Sequence, residues 1–142
     1  MNSLNFLDTN VWRALVWERH IHSELAREWL AQRQGEQFLS CRFTQLALLR
    51  LLTNRAVMGQ EVESVAGAWE VYDQCRADSR IAFLTEPDGI DPRLRAMAGG
   101  RHSSPNVWAD AYLAAFAATA GLRLVTFDKA LAKKSIECLV LK

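Results

Sequence analysis

Five short apolar runs alternate with segments of helical periodicity, and this alternation constrains the fold more than any other feature of the sequence. The runs lie at residues 4–7, 38–41, 81–84, 122–126 and 136–141. In the segments between them, apolar residues recur three and four positions apart, as they do on the buried side of a helix. Strands that alternate with helices favour a mainly parallel sheet covered on both faces, so we predict an α/β domain built as a three-layer α/β/α sandwich.

Capping residues and glycines give the predicted limits of the helices. Asp8 precedes the first helix, Gly35 follows the second, and Thr44 opens the third. A Ser-Ser-Pro-Asn signature at 103–106 opens a later, alanine-rich helix that ends at Gly121. The predicted helices span residues 11–17, 21–34, 44–52, 60–76, 94–97, 106–120 and 128–134.

Size and charge indicate one domain, without an overall positive charge that would attract nucleic acid. The chain has 142 residues, and half of them are hydrophobic, which fits a single core over residues 1–142. Seventeen basic and sixteen acidic residues give a net charge of +1. Binding of a polyanion must therefore depend on a local arrangement of residues.

The same composition predicts a cytoplasmic protein that does not associate with a membrane. Cys41, Cys75 and Cys138 have no C-x-x-C spacing and lie in apolar contexts, as buried free thiols do in a reducing compartment. The N-terminus lacks the basic region of a signal peptide. The longest helical apolar stretch, 107–122, contains an acid and is shorter than the ~20 residues that span a bilayer.

Three aspartates stand at the ends of apolar elements and point to a site. They occur in Phe-Leu-Asp-Thr-Asn around Asp8, Trp-Ala-Asp-Ala-Tyr around Asp110, and Val-Thr-Phe-Asp ending at Asp128. Strand ends that are distant in sequence meet along one edge of a parallel sheet, where such folds bind ligands. Carboxylates gathered there repel one another until a pKa rises or a cation binds, and oxygen ligands suit Mg²⁺ or Mn²⁺.

Helix capping is an alternative explanation for two of these acids. Asp8 and Asp128 each precede a predicted helix, where an aspartate side chain accepts a hydrogen bond from a backbone N–H. Asp110 has no such explanation, because it interrupts an apolar helix where a lone buried carboxylate costs several kcal/mol. Asp110 is therefore the most informative of the three.

Taken together, the three segments resemble the PIN domain, in particular the VapC-type ribonuclease toxins of toxin–antitoxin pairs. The similarity covers nearly the whole chain, and it depends on the order and spacing of the three motifs. It implies a PIN-like sandwich and an endoribonuclease in which Asp8, Asp110 and Asp128 bind Mg²⁺ or Mn²⁺ and are the catalytic residues. One departure is that Ala47 occupies the place where many members of the family have a glutamate.

The resemblance also implies the partners, which are an RNA substrate, a cognate antitoxin and a second copy of the chain in a homodimer. Around the aspartates, Asn10 and Thr126 are candidates for hydrogen bonds to the metal ligands. Asn106 lies one helical turn before Asp110 and is a candidate for a water or a phosphate. Basic residues near the predicted site, which either bind RNA phosphates or remain solvated, are Arg13, Arg42, Arg50 and Lys129.

Two other functions remain open from the sequence. With its metal site weakened at Ala47, the chain would be a catalytically weak PIN-like module that binds nucleic acid or protein. A phosphatase-like or DNA-cleaving enzyme on a related carboxylate scaffold would share the metal dependence and prefer another substrate.

Overall fold

The computed structural model describes residues 3–134 and 137–142. The strands are β1 (Leu4–Leu7), β2 (Gln37–Cys41), β3 (Ile81–Leu84), β4 (Arg123–Thr126) and β5 (Cys138–Val140). The helices are α1 (Thr9–Val16), α2 (Ser23–Ala31), α3 (Arg42–Leu52), α4 (Arg55–Met58), α5 (Val65–Arg76), α6 (Asp91–Met97), α7 (Val107–Ala120) and α8 (Lys129–Ala132), with a 3₁₀ turn at Gly59–Glu61. Part of the predicted last strand, residue 136, lies outside the described residues.

The sheet is parallel throughout, with strand order β3-β2-β1-β4-β5. The chain builds outward from β1 to β2 and β3, and then returns to place β4 on the other side of β1. In the β1–β4 pair, Leu7 is in register with Val125. The strand order therefore reverses between β1 and β4, and the crevice outside the carboxyl ends of strands at such a point is where open α/β sheets bind ligands.

Two apolar clusters cover the two faces of the sheet. Alternate residues of β1 point to opposite sides, so that Leu7 packs with α1, α2, α3 and α5, whereas Phe6 packs with α7 and α8. On the second face, the rings of Phe6 and Phe116 stack with their centroids 4.6 Å apart. These two helical layers around one sheet confirm the predicted α/β/α sandwich.

The predicted helix over 60–76 is wrong at its start. Gln60 and Glu61 belong to the 3₁₀ turn at Gly59–Glu61 and residues 62–64 are not helical, so α5 begins at Val65, five residues later than predicted. The Ser64 hydroxyl then accepts a hydrogen bond from the Gly67 N–H at 2.9 Å and sets the first turn of α5. The helical spacing of apolar residues continues through this region, so it did not reveal that α5 begins only after the Ser64 cap.

The second helix is shorter than predicted, and α7 ends as predicted. Arg80 donates from Nη1 to the carbonyl oxygens of Leu30 and Arg33, which stabilises the C-terminal end of α2. Gly121 ends α7 in the left-handed conformation, with φ 70°. In the part of the chain that the structure describes, no helix is both long enough and apolar enough to cross a membrane.

Candidate metal centre

Asp8 lies at the junction of β1 and α1, and its backbone fixes it to the neighbouring strand. The Asp8 N–H donates to the Val125 carbonyl at 2.9 Å, which continues the β1–β4 ladder by one residue. The side chain caps α1, because Oδ1 accepts from the Thr9 N–H at 2.7 Å. The carboxylate is thus held at the carboxyl edge of the sheet beside the end of β4.

Thr126 connects two of the three aspartates. This residue is fully buried at the end of β4, and its hydroxyl donates to Asp8 Oδ2 at 2.8 Å. The same hydroxyl oxygen accepts from the Asp128 N–H at 3.0 Å. One hydroxyl therefore contacts both the Asp8 carboxylate and the backbone of Asp128.

Asp128 caps α8, as the alternative explanation from the sequence predicts. Its Oδ1 accepts from the Ala130 N–H at 2.8 Å, and the side chain is exposed. The structure shows no hydrogen bond to Oδ2 within the described residues, so this oxygen is available to a ligand. Capping and ligand binding are compatible here, because each uses a different oxygen.

Of the three aspartates, Asp110 is the one whose carboxylate has no hydrogen-bond or ion-pair partner among the described residues. It lies in the first turn of α7 and is half-buried. Among residues 3–134 and 137–142, no donor hydrogen-bonds to this carboxylate and no cation lies within ion-pair distance of it. Lys134 is close enough to lower the pKa of Asp110 but forms no ion pair with it. Lys134, six residues after Asp128, is a neighbour of the site that the sequence motifs did not reveal.

The three carboxylates share one electrostatic environment. Burial raises the pKa of Asp8, the hydrogen bonds from Thr126 and Thr9 oppose that rise, and the charges of Asp110 and Asp128 add to it. Burial also raises the pKa of Asp110, and the charge of Asp128 raises it further. The fold thus brings acids from three separate segments into mutual repulsion at one edge.

The carboxylate oxygens suit an open, partly hydrated site for a hard cation and do not form a closed cage of protein ligands. Within the described segments, no group of three or more Asp, Glu, His or Cys side chains already has the geometry to hold a metal ion. Mg²⁺ commonly keeps several waters and uses one or two carboxylates together with substrate phosphate. Oxygen donors with unused lone pairs on Asp110 and Asp128 are compatible with that kind of open binding.

The other predicted site residues are less closely tied to this edge. Asn10 and Asn106 are exposed, at the start of α1 and just before α7, and neither side chain is hydrogen-bonded to an aspartate of the site or to Thr126. Arg50 does not lie at the edge, because eight residues of α3 at about 1.5 Å each carry it about 12 Å from the helix start. Ala47 leaves α3 without a carboxylate.

Comparisons with known proteins identify the family to which this fold belongs. The PIN domain profile matches residues 6–137. Ribonuclease VapC41 of Mycobacterium tuberculosis is 44% identical over 128 residues, which are 87% of this chain and 88% of that protein. Ribonuclease VapC39 of the same organism is 33% identical over 136 residues, 94% of this chain and 95% of that protein.

Solved structures agree on the architecture. VapBC-1 from nontypeable Haemophilus influenzae superposes with a TM-score of 0.69 at 15% identity and covers 96% of this chain and 97% of that one. VapC20 of Mycobacterium tuberculosis, described as a Sarcin-Ricin loop cleaving toxin, gives a TM-score of 0.64 at 15% identity over 91% and 93% of the two chains. This chain therefore belongs to the PIN-domain family and, within it, to the VapC ribonucleases.

Proposed function

We propose that this protein is a metal-dependent endoribonuclease that acts as the toxin of a toxin–antitoxin pair. The observation that carries the proposal is the half-buried Asp110 carboxylate, which lacks a hydrogen-bond donor in the described residues and faces the charges of Asp8 and Asp128 at the strand-order reversal. The similarity of this chain to proteins named ribonucleases supports RNA as the substrate.

In this proposal Asp8, Asp110 and Asp128 hold one or two Mg²⁺ or Mn²⁺ ions. When bound, such an ion lowers the pKa of a coordinated water and neutralises charge on the phosphate. Thr126 keeps the Asp8 carboxylate in a single orientation, which fixes the direction of its remaining lone pairs. Lys134, on the Asp110 side, is placed to attract the RNA backbone.

Cleavage of a mixed RNA pool tests this function. Purified protein is incubated with Mg²⁺ or Mn²⁺, or with EDTA, and compared with Asp110→Asn and with the matched control Asp73→Asn, which changes an exposed acid on α5. We expect metal-dependent cutting by the wild type and the control, and none by Asp110→Asn. Equal cutting by all three proteins would contradict the site.

A binding module without hydrolysis is the second candidate, and Ala47 is the observation that favours it. The missing α3 carboxylate leaves three acids for the ions. In that case the folded wild type and Asp110→Asn would both retain RNA in a filter assay and leave it uncut at every metal concentration.

We further propose that an antitoxin covers the cleft between α1, α2 and α5. This cleft has a volume of about 640 Å³, and its apolar lining includes Leu15, Leu30 and Val71. The solved relatives named VapBC support a protein partner of this kind. Val71→Asp should abolish co-purification with the cognate antitoxin, whereas Ala66→Asp, at an exposed position of the same helix, should not.

A homodimer in the cytoplasm completes the proposal. Val65 and Trp69, one turn apart on α5, are 70% and 45% exposed, as is typical of residues that await a partner. Light scattering of the purified protein should give twice the monomer mass. The cysteines are free thiols, which suits a reducing compartment.

A further inference from the structure

A second concave surface lies at the carboxyl edge of the sheet, beyond the aspartates. It is a cleft of about 480 Å³ at the ends of β2 and β3, closed on one side by α7. The side chains that define it are those of Arg42, Phe43, Phe83, Glu86, Tyr112 and Phe116. We refer to it as the aromatic cleft.

The aromatic cleft is close to the candidate metal centre. β2 is the direct neighbour of β1, and β3 follows it, so at about 4.8 Å per strand the cleft begins about 5–10 Å from the end of β1. α7, which closes the cleft at Tyr112, also carries Asp110 about 3 Å away along the helix axis, with the two side chains on different sides of the helix. A group bound in the cleft therefore lies within reach of a phosphate bound at the aspartates.

Aromatic rings form the walls of this cleft. The rings of Phe43 and Tyr112 have their centroids 5.3 Å apart, and those of Tyr112 and Phe116 are 6.0 Å apart. Phe83 forms the wall on the β3 side. Phe116 is fully buried behind this surface, whereas Phe43, Phe83 and Tyr112 are part-exposed. Part-exposed rings in a cleft beside a polyanion site are typical of proteins that stack unpaired bases.

Arg42 supplies a positive charge that no acid neutralises. Its guanidinium carbon lies 5.0 Å from the Phe83 ring centroid, and Nη1 donates to Gln45 Oε1 at 2.5 Å. The side chain is exposed and, in the part of the chain described here, forms no ion pair. A guanidinium that is oriented by a ring and an amide and still carries its full charge is suited to bind phosphate.

Glu86 supplies an acceptor at the mouth of the cleft. Its Oε1 accepts from the Tyr112 hydroxyl at 2.8 Å, which leaves Oε2 for a ligand. Burial and the bond to Glu86 raise the pKa of Tyr112, so the hydroxyl remains a donor. A carboxylate oxygen accepts from the exocyclic amino group of cytosine, adenine or guanine, whereas uracil offers only its ring N3–H, between two carbonyl oxygens that the carboxylate repels.

We propose that the aromatic cleft binds one unpaired nucleotide of the RNA beside the scissile phosphate. The phosphate of that nucleotide contacts Arg42, its base stacks on the aromatic rings, and the amino group of the base donates to Glu86. This assignment rests on the proposed function, because it takes RNA as the ligand. It predicts that cytosine or adenine is preferred over uracil at one position next to the cut.

Binding of labelled oligoribonucleotides tests the cleft independently of cleavage. Fluorescence anisotropy is measured for oligo(C), oligo(A) and oligo(U) with the full chain carrying Asp110→Asn, so that the RNA stays intact. Glu86→Gln should reduce the preference for C and A over U by about tenfold. Arg42→Gln should weaken binding of all three RNAs by about three- to tenfold and lower the salt slope by about 0.7. The control Arg55→Gln, an exposed arginine of α4, should change neither quantity.

The outcomes separate this proposal from the nuclease. Arg42→Lys, which keeps the charge, should restore part of the affinity, and thermal unfolding verifies that each variant is folded. Unchanged base preference in Glu86→Gln, or equal affinities in Arg42→Gln and Arg55→Gln, would overturn the cleft even if the wild type cuts RNA. The predicted preferences in a protein that cuts nothing would uphold the cleft and overturn the nuclease. Absence of RNA binding would overturn both.

Discussion

The two edges of the sheet differ in how their charged groups are paired. At the amino edge, the fully buried Asn5 donates from Nδ2 to Glu36 Oε1 at 2.9 Å, and Arg123 Nε donates to Asn5 Oδ1 at 2.9 Å. Arg123 Nη2 also pairs with Glu36 at 3.0 Å. At the carboxyl edge, three carboxylates repel one another, and Asp110 has no described donor. The amino edge uses its polar groups to hold strands together, whereas the carboxyl edge leaves the Asp110 carboxylate and Asp128 Oδ2 without a hydrogen-bond donor among the described residues.

This contrast shows where stability and function are separated in the fold. Groups that are satisfied within the protein contribute to folding and have little capacity left for ligands. Groups left unsatisfied cost stability and persist where a ligand compensates for them. Substitutions at the two edges should therefore have opposite consequences for stability and activity.

The largest expected effect is that of Asp110→Asn on catalysis. We expect RNA cleavage to fall by at least about 100-fold, because an ion that stabilises the transition state by several kcal/mol loses a ligand and each 1.36 kcal/mol is a factor of ten. The free energy of unfolding without metal should not decrease, since the change removes a like charge from the cluster. A destabilised variant in urea denaturation would contradict the contrast between the edges.

Arg123→Met should have the reverse signature. It leaves Glu36 and Asn5 without their shared donor and should cost about 3 kcal/mol of unfolding free energy. Arg95→Met, which breaks an exposed ion pair with Asp91, should cost less than about 0.5 kcal/mol. Activity per folded molecule should match that of the wild type in both variants. A loss of activity per folded molecule in Arg123→Met would contradict the separation of stability and function between the two edges.

Thr126→Val tests the connection within the acidic edge. The variant keeps the side-chain shape, but it removes the donor to Asp8 and the acceptor for the Asp128 N–H. We expect Mn²⁺ affinity and cleavage to fall by about 10–100-fold, as for other residues that orient metal ligands. Thr126→Ser retains the hydroxyl and should recover most of both. Failure of serine to restore them would show that packing, and not the hydroxyl, is what matters.

The smallest expected effect is a pH dependence at the amino edge. Hydrogen bonds from Arg80, just before β3, lower the pKa of Asp78 from its ordinary value of 3.8. A carboxyl group whose pKa is lowered on folding stabilises the protein above its unfolded pKa and loses that contribution as the pH falls through the folded value. The stability difference between wild type and Asp78→Asn should be below about 1 kcal/mol at pH 7 and should shrink below about pH 4 in urea titrations. A constant difference across that range would contradict the role of the pair.

Much of this architecture was predictable because it depends on local patterns. Short apolar runs and helical periodicity predicted the strands and the sandwich, and the motifs around Asp8, Asp110 and Asp128 predicted which acids the fold brings together. Gly59 and Ser64 ended and began helices in a region where apolar spacing continued, which is why the start of α5 was missed.

Long-range pairings were not predictable from the sequence. Asn5 and Arg123 are 118 positions apart, and no local pattern relates them. The packing of helices on the sheet likewise determines that Lys134 lies near Asp110 and that the side chains of the aromatic cleft come together. Arg50 was placed near the site by its neighbours in sequence, although the rise of α3 carries it away.

Titration calorimetry with Mn²⁺ tests the central claim most directly, because it measures the acidic edge without RNA. The account predicts saturable binding by the wild type and by Asp73→Asn, and a loss of at least tenfold in affinity in Asp110→Asn, which equals about 1.4 kcal/mol or more. Absence of binding by the folded wild type, or equal affinity in Asp110→Asn, would contradict the assignment of a metal centre to the three aspartates.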